Sequence, residues 1–253
     1  MTTVELEVHD KIATIRLNRP EKLNAINNEM LNDLHAAFTR VREDDDIWVA
    51  VLTGNGRAFS TGHDLVMGSA GKSDHQVTTD DIYVYVSETW KPIIAAINGF
   101  CLAQGGGLAL LSDIRIASEQ AQFGWPQVKR GIASISGPTI LSHYVSLGAA
   151  LKLLMTGDLV DAKEAYRLGF VQEVVPHEKV LDRAMELATT IRGNAPLAVR
   201  TIKQAAIQGL KVPDFADRVQ MASSLAKTLR ESEDSKEGLR AFAEKRQPTF
   251  VGR

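Results

Sequence analysis
Apolar residues occupy every second position over Val4, Leu6 and Val8, and again over Ala13, Ile15 and Leu17, with His9-Asp10 between the two runs. Side chains on a strand alternate between faces, so the pattern predicts a hairpin of two strands ending at Asn18-Arg19-Pro20. From Asn27 the interval changes. Ile26, Met30, Leu34, Phe38 and Val41 recur three or four apart, which places them on one helix face, and the acidic run Glu43 to Asp46 closes that helix. Ile47 to Leu52 is a mostly apolar run ending in Thr53-Gly54-Asn55-Gly56; a strand without alternation buries both faces, as in a parallel sheet. Ile93 to Ile97 is a second such run. It leads through Gly105-Gly106-Gly107 into a helical Leu108 to Leu111 and then a third strand, Ile114 to Ala117. Strand, helix, strand in succession predicts an α/β fold.

Residues 66 to 81, with Gly68, Ser69, Gly71, Ser73, Thr78 and Thr79, are small, polar and aperiodic, and read as a mobile loop or lid. After about Pro196 the character turns helical. Pro196 and Pro213 sit where a first helical turn tolerates proline, and Phe215, Val219, Ala222, Leu225 and Leu229 trace one apolar stripe. The chain therefore divides into a core, 1–195, and a helical carboxyl-terminal region, 196–253.

Composition narrows the function. In 253 residues, 44% hydrophobic and 24% charged, there is enough apolar surface for a sizeable core without a staple. The 29 Lys+Arg nearly cancel the 31 Asp+Glu, so no global basic field invites nucleic acid, and a polyanionic ligand must meet a local patch. The single cysteine, Cys101, fits a reducing compartment, and Met1 to Asp10 is too acidic for a signal or transit peptide. No apolar run approaches membrane-helix length. A soluble cytoplasmic protein is expected.

Three motifs are decoys. Gly71-Lys72-Ser73 resembles the end of a phosphate-cradling loop, but the glycine needed five positions earlier is Val66. The glycine run at 105–107 resembles a dinucleotide fingerprint whose last glycine is replaced by Leu110. The six histidines lack the i, i+4 pairing of a helical metal site. Two segments remain: Ala58 to Leu65, after the first buried strand, and Ala103 to Leu108, after the second. The first is an ordinary glycine turn and the second tight strand–helix packing, or else the two are loops that each aim a backbone N–H at a shared oxygen, as an oxyanion requires.

Asn18-Arg19-Pro20-Glu21-Lys22-Leu23-Asn24-Ala25, then Ala58 to Leu65, Asn98-Gly99 through Ala117, Ala121-Gln122-Phe123-Gly124-Trp125-Pro126 and Ala241 to Arg246 together resemble the enoyl-CoA hydratase/isomerase (crotonase) family, in family order over almost the whole chain. The resemblance implies a spiral of strand–strand–helix units, a helical carboxyl-terminal region that packs trimers or dimers of trimers, and an acyl-CoA thioester ligand whose coenzyme A belongs to the substrate, with no other cofactor. It assigns the oxyanion donors to the amides of His63 and Gln104. It assigns substrate contacts to Lys22, Ala25, Arg57, Gly62, Asp64, Leu65, Gly105, Trp125, Ser134 and Lys245, the lysines and Arg57 toward CoA phosphates. Trp125 narrows the acyl pocket or packs the core, and Phe242 and Phe250 wall the adenine or anchor the last helix.

The hydratases of this family carry two glutamates where this chain has Gly107 and Gln127. Neither residue titrates near neutral pH, so neither serves as general acid or base; Gln127 positions a water or substrate group, or holds its loop. The expected activity is hydratase-like chemistry on an acyl-CoA, with isomerisation, decarboxylation, thioester hydrolysis or binding without catalysis as alternatives.

Overall fold
The computed structural model describes residues 2–65 and 77–253. The hairpin is present as β1 (Val4–His9) and β2 (Ile12–Leu17), antiparallel, and α1 (Asn28–Glu43) follows, its first turn closed by the Asn27 side chain accepting from the Met30 amide at 2.9 Å. Thereafter the chain alternates between two sheets. It passes through β3 (Val49–Gly54), β4 (Ala58–Ser60), α2 (Thr79–Ser87), β5 (Ile93–Ile97), β6 (Phe100–Leu102), α3 (Gln104–Leu111), β7 (Ile114–Ser118) and β8 (Gln122–Gly124). Next come α4 (Ser136–Ile140), α5 (Leu147–Thr156), β9 (Val160–Asp161), α6 (Ala162–Arg167), β10 (Glu173–Val175), α7 (Val180–Arg192), α8 (Pro196–Gly209), α9 (Phe215–Lys227) and α10 (Glu233–Glu244). The large sheet runs β1-β2-β3-β5-β7-β10 and the small one β4-β6-β8-β9. Each turn of the chain thus adds a strand to both sheets, which is a spiral of strand–strand–helix units. The connections within the large sheet from β2 onward are parallel.

The continuous apolar strands are explained by burial on both faces. Ala13, Ile15, Ala50, Leu52, Ala95 and Ile97 face the main core with α1, whereas Ile12, Val49, Val51, Ile94, Ala96 and Ile116 face α7, whose Val180, Ala184 and Ala188 recur every fourth residue. Small residues at those positions let α7 lie close to the sheet.

Three expectations change. The glycine run lies inside α3, which starts at Gln104 rather than after the glycines. The expected loop 66–81 falls largely outside the described residues, as does Gly71-Lys72-Ser73, but its end is helical: α2 opens with a reciprocal cap in which Thr78 accepts from the Asp81 amide and Asp81 from the Thr78 amide. Pro213 precedes the N-cap Asp214 of α9 instead of lying in its first turn. Phe250 packs on the Trp48–α7 core, while Phe242 stands in solvent. No helix among the described residues is long and apolar enough to cross a membrane.

Candidate active site
The two candidate segments leave the small sheet, not the large one. His63 follows β4 and Gln104 follows β6, and these two short strands pair in parallel, so both segments emerge on the same side. The turn at 62–64 is pinned by residue 26: the Ile26 amide donates to Gly62 O at 2.8 Å and the Asp64 amide to Ile26 O at 2.9 Å. Asp64 is buried and accepts from Arg19 Nη1 at 3.1 Å, the same guanidinium nitrogen that donates to Ala25 O at 2.5 Å. The Asn18–Ala25 segment is therefore a brace for this turn. Asn24 completes it by donating to Asn55 O and Ala58 O at 2.9 and 2.8 Å.

Gly62 has φ +89°, and a Cβ there would lie 2.8 Å from Ala103 Cβ and 3.0 Å from the Gln104 nitrogen. Glycine alone permits this approach of the two turns. On the other side, Ala103 holds φ +52° and ψ −116°, a conformation that L residues rarely adopt, while its amide donates to Gly124 O at 2.9 Å. That kink sends the chain from β6 into α3 with the first helical amides, beginning with Gln104, unpaired within the helix. The Gln104 carbonyl and side chain are tied to α2: Tyr83 donates its hydroxyl to Gln104 O at 3.1 Å, and Gln104 Nε2 donates to Thr79 Oγ1. Burial pushes the Tyr83 hydroxyl well above the ordinary phenol value, against a smaller opposing influence from Ser136, so it stays protonated at neutral pH.

A cleft of about 310 Å³ opens between these elements, lined by Thr61, His63, Leu65, Thr79, Tyr83, Gln104, Gln127, Arg130, Ile132, Ser134 and Ser136 among others. Gln104 Oε1 and Gln127 Oε1 are buried with no hydrogen-bond partner. None of the described lining residues is a carboxylate. His63, Leu65, Gln104, Gln127 and Ser134 thus share one cleft, with Gly62 and Gly105 behind it. Gly105 is pressed on Ser60, where a Cβ would meet the Ser60 carbonyl oxygen at 2.6 Å. Trp125 is not on that wall. It is 1% exposed, packed over Gly106 and edge-on to Phe170, and gives its Nε1–H to Ser136 Oγ at 3.2 Å, so it shapes the cleft only from behind. Lys22 and Arg57 are exposed outside the cleft, where the turn at 55–57 packs against Pro20. Lys245 does not line the cleft and is exposed at the end of α10 with φ +54°. Tyr83, Thr79 and Arg130 were not among the expected site residues; only the Thr78-x-x-Asp81 cap signature announced the helix that brings the first two.

The chain belongs to the enoyl-CoA hydratase/isomerase family, whose model matches residues 7–253. It is 39% identical over 259 residues to (E)-benzylidenesuccinyl-CoA hydratase of Thauera aromatica, covering 98% of this chain and 99% of that one. It is 36% identical to 2,3-dehydroadipyl-CoA hydratase of Escherichia coli, with both chains covered completely. The crystal structure of enoyl-CoA hydratase from Bacillus anthracis superposes with a TM-score of 0.93 at 32% identity, over 99% of this chain and 100% of that one.

Proposed function
We propose that this enzyme acts on an acyl-CoA thioester by stabilising its enolate, with the thioester oxygen held between the amides of His63 and Gln104. The observation that carries the reading is the contact of the two turns: Gly62 lies against the Gln104 nitrogen, and neither amide is used by the main-chain pairing around it. Donors fixed in this way before the reaction need no reorganisation as charge develops, and one such donor contributes about 100- to 1000-fold in rate. Lys22, Arg57 and Lys245 are proposed partners of the CoA phosphates, coenzyme A being part of the substrate.

Hydration of an enoyl-CoA is the first reading, supported by the names of the relatives. A second reading, isomerisation, decarboxylation or thioester hydrolysis, is favoured by one feature: Gly107 and Gln127 offer no carboxylate, and no described cleft residue supplies another. Loss of enoyl-thioester absorbance on incubation with crotonyl-CoA tests the first. Turnover comparable to ordinary hydratases supports it; products from other CoA esters, detected by mass spectrometry, support the second. Tight binding of these CoA esters with no product from any of them makes the protein an acyl-CoA binder. Because only the amide of residue 63 is invoked, His63→Ala retains activity within about 100-fold; a larger loss assigns a role to the imidazole.

A further inference from the structure
Gly107 stands where the family resemblance expects a glutamate, and the space for that side chain is already filled. A Cβ at Gly107 would lie 2.2 Å from the Tyr83 hydroxyl oxygen and 2.6 Å from both Tyr83 Cζ and Ser136 Cβ. Tyr83 comes from α2 and Ser136 from α4, so two separate elements close over this point of α3. The Tyr83 hydroxyl lies between Gln104 O and Ser136, both residues of the cleft wall, and Tyr83 itself lines the cleft. The glycine and the tyrosine are therefore one exchange: a side chain absent from α3, and a hydroxyl delivered to the same place from α2.

We propose that the Tyr83 hydroxyl is the acid that protonates the acyl Cα of the bound thioester enolate. The proposal rests on the acyl-CoA enolate reading above. In the step, the Tyr83 hydroxyl turns from Gln104 O toward the acyl group, the enolate electron pair forms a Cα–H bond and the Tyr83 O–H bond breaks. Negative charge passes from the thioester oxygen to the phenolate, which regains a proton from water in the cleft. If a water has added to Cβ, the proton it releases is the one returned, and the sum is H and OH across the double bond. Burial keeps the phenol in the protonated form from which this transfer starts, and an enolate carbon is a far stronger base than a phenolate. Ser136 is placed to stabilise the phenolate. Its oxygen receives the Trp125 Nε1–H at 3.2 Å and donates its own hydroxyl to Ala103 O at 3.2 Å, a bond it would exchange for one to the phenolate.

The test is turnover of crotonyl-CoA, and of methylmalonyl-CoA for a decarboxylating enzyme, in D2O, with the position of deuterium at Cα read by NMR. Wild type is expected to place deuterium on one face. Tyr83→Phe keeps the ring, and is expected to lower kcat about 100-fold or more while leaving KM within threefold. Its residual product should carry deuterium on both faces, because solvent then protonates the enolate. If Tyr83→Phe does not fold, 3-fluorotyrosine at 83 retains ring and hydroxyl and, as a stronger acid, is expected to change kcat and its solvent isotope effect at neutral pH while leaving KM within threefold. A Tyr83→Phe enzyme within fivefold of wild type, deuterium still confined to one face, or a kcat and solvent isotope effect unmoved by fluorotyrosine overturns the proposal. Tight binding of both esters by calorimetry without turnover overturns it as well, leaving acyl-CoA binding intact. Failure of both esters to bind removes the enolate reading and the Tyr83 role together.

Discussion
Gly105, Gly106 and Gly107 each meet a different wall, and the walls differ in how far they can yield. A Cβ at 105 would press the Ser60 backbone oxygen at 2.6 Å, one at 106 would meet the Trp125 ring at 3.0 Å, and Gly148, near the start of α5, has nothing within 4 Å. Backbone cannot retreat without moving β4, whereas a ring can tilt by a few tenths of an ångström. We therefore expect Gly105→Ala to cost about 2–3 kcal/mol, Gly106→Ala about 1 kcal/mol, and Gly148→Ala to stabilise by about 0.5–1 kcal/mol by removing glycine's entropy from a helix. Urea denaturation of the three variants checks the order; Gly105→Ala no worse than Gly106→Ala would refute the close approach of α3 to β4. This order also shows what was legible at the site. The glycine run and the Gly62 turn mark themselves in sequence because only glycine permits such contacts. Tyr83 does not, because a tyrosine between Ile82 and Val86 on an apolar helix face looks like any core residue.

Among the elements, the best anchored at the end of the chain is α10. Two of its carboxylates, one turn apart, hold the tail: Asp234 accepts from the Val251 and Gly252 amides at 2.7 and 2.9 Å, and Glu237 from Arg246, Arg240 and the Thr249 amide. The tail in turn seats Phe250 on the core against α7. Arg246, then Arg240 and the Thr249 amide, hold the Glu237 carboxyl far below the ordinary glutamate range. A carboxylate depressed by folding stabilises the native state fully above its unfolded value of about 4.3, and that contribution fades as pH falls from there toward the folded value. Thermal melts between pH 7 and 3 should thus show wild type losing more Tm below about pH 4.3 than Glu237→Gln, which starts lower at pH 7. Parallel curves for the two proteins would exclude a pH-dependent role for Glu237. The central strands β3 and β5 were readable because each buries both faces over five or six residues, and the hairpin because its apolar positions alternate. The small sheet was not: β4, β6 and β8 have three residues each, too few for any period, and it is these strands that carry both site turns.

At the scale of the molecule, the carboxyl-terminal helices raise a question that one chain does not answer. The α8 helix buries only Pro196 and α9 buries no residue, although the two pack on each other. Ile202, Leu210 and Phe215 are 69%, 87% and 72% exposed, and Leu239 and Phe242 on α10 are similarly open. Ordering a residue costs about 1–2 kcal/mol, and isolated helices of this length are marginal in water, so a helix without buried side chains needs a surface outside its own chain. Closed homo-oligomers are the usual source of such a surface. We therefore expect light scattering to give three or six times the chain mass for wild type, in keeping with the oligomer that the family resemblance implies. Leu210→Asp with Phe215→Asp should shift the mass to that of a single chain, lower Tm, and make proteolysis begin between α8 and α9. Because assembly then contributes to stability, the wild-type Tm should rise with protein concentration whereas that of the double variant should not. A wild type already monomeric at micromolar concentration, or a double variant of unchanged mass, would mean that α8 and α9 stand on contacts within the chain alone.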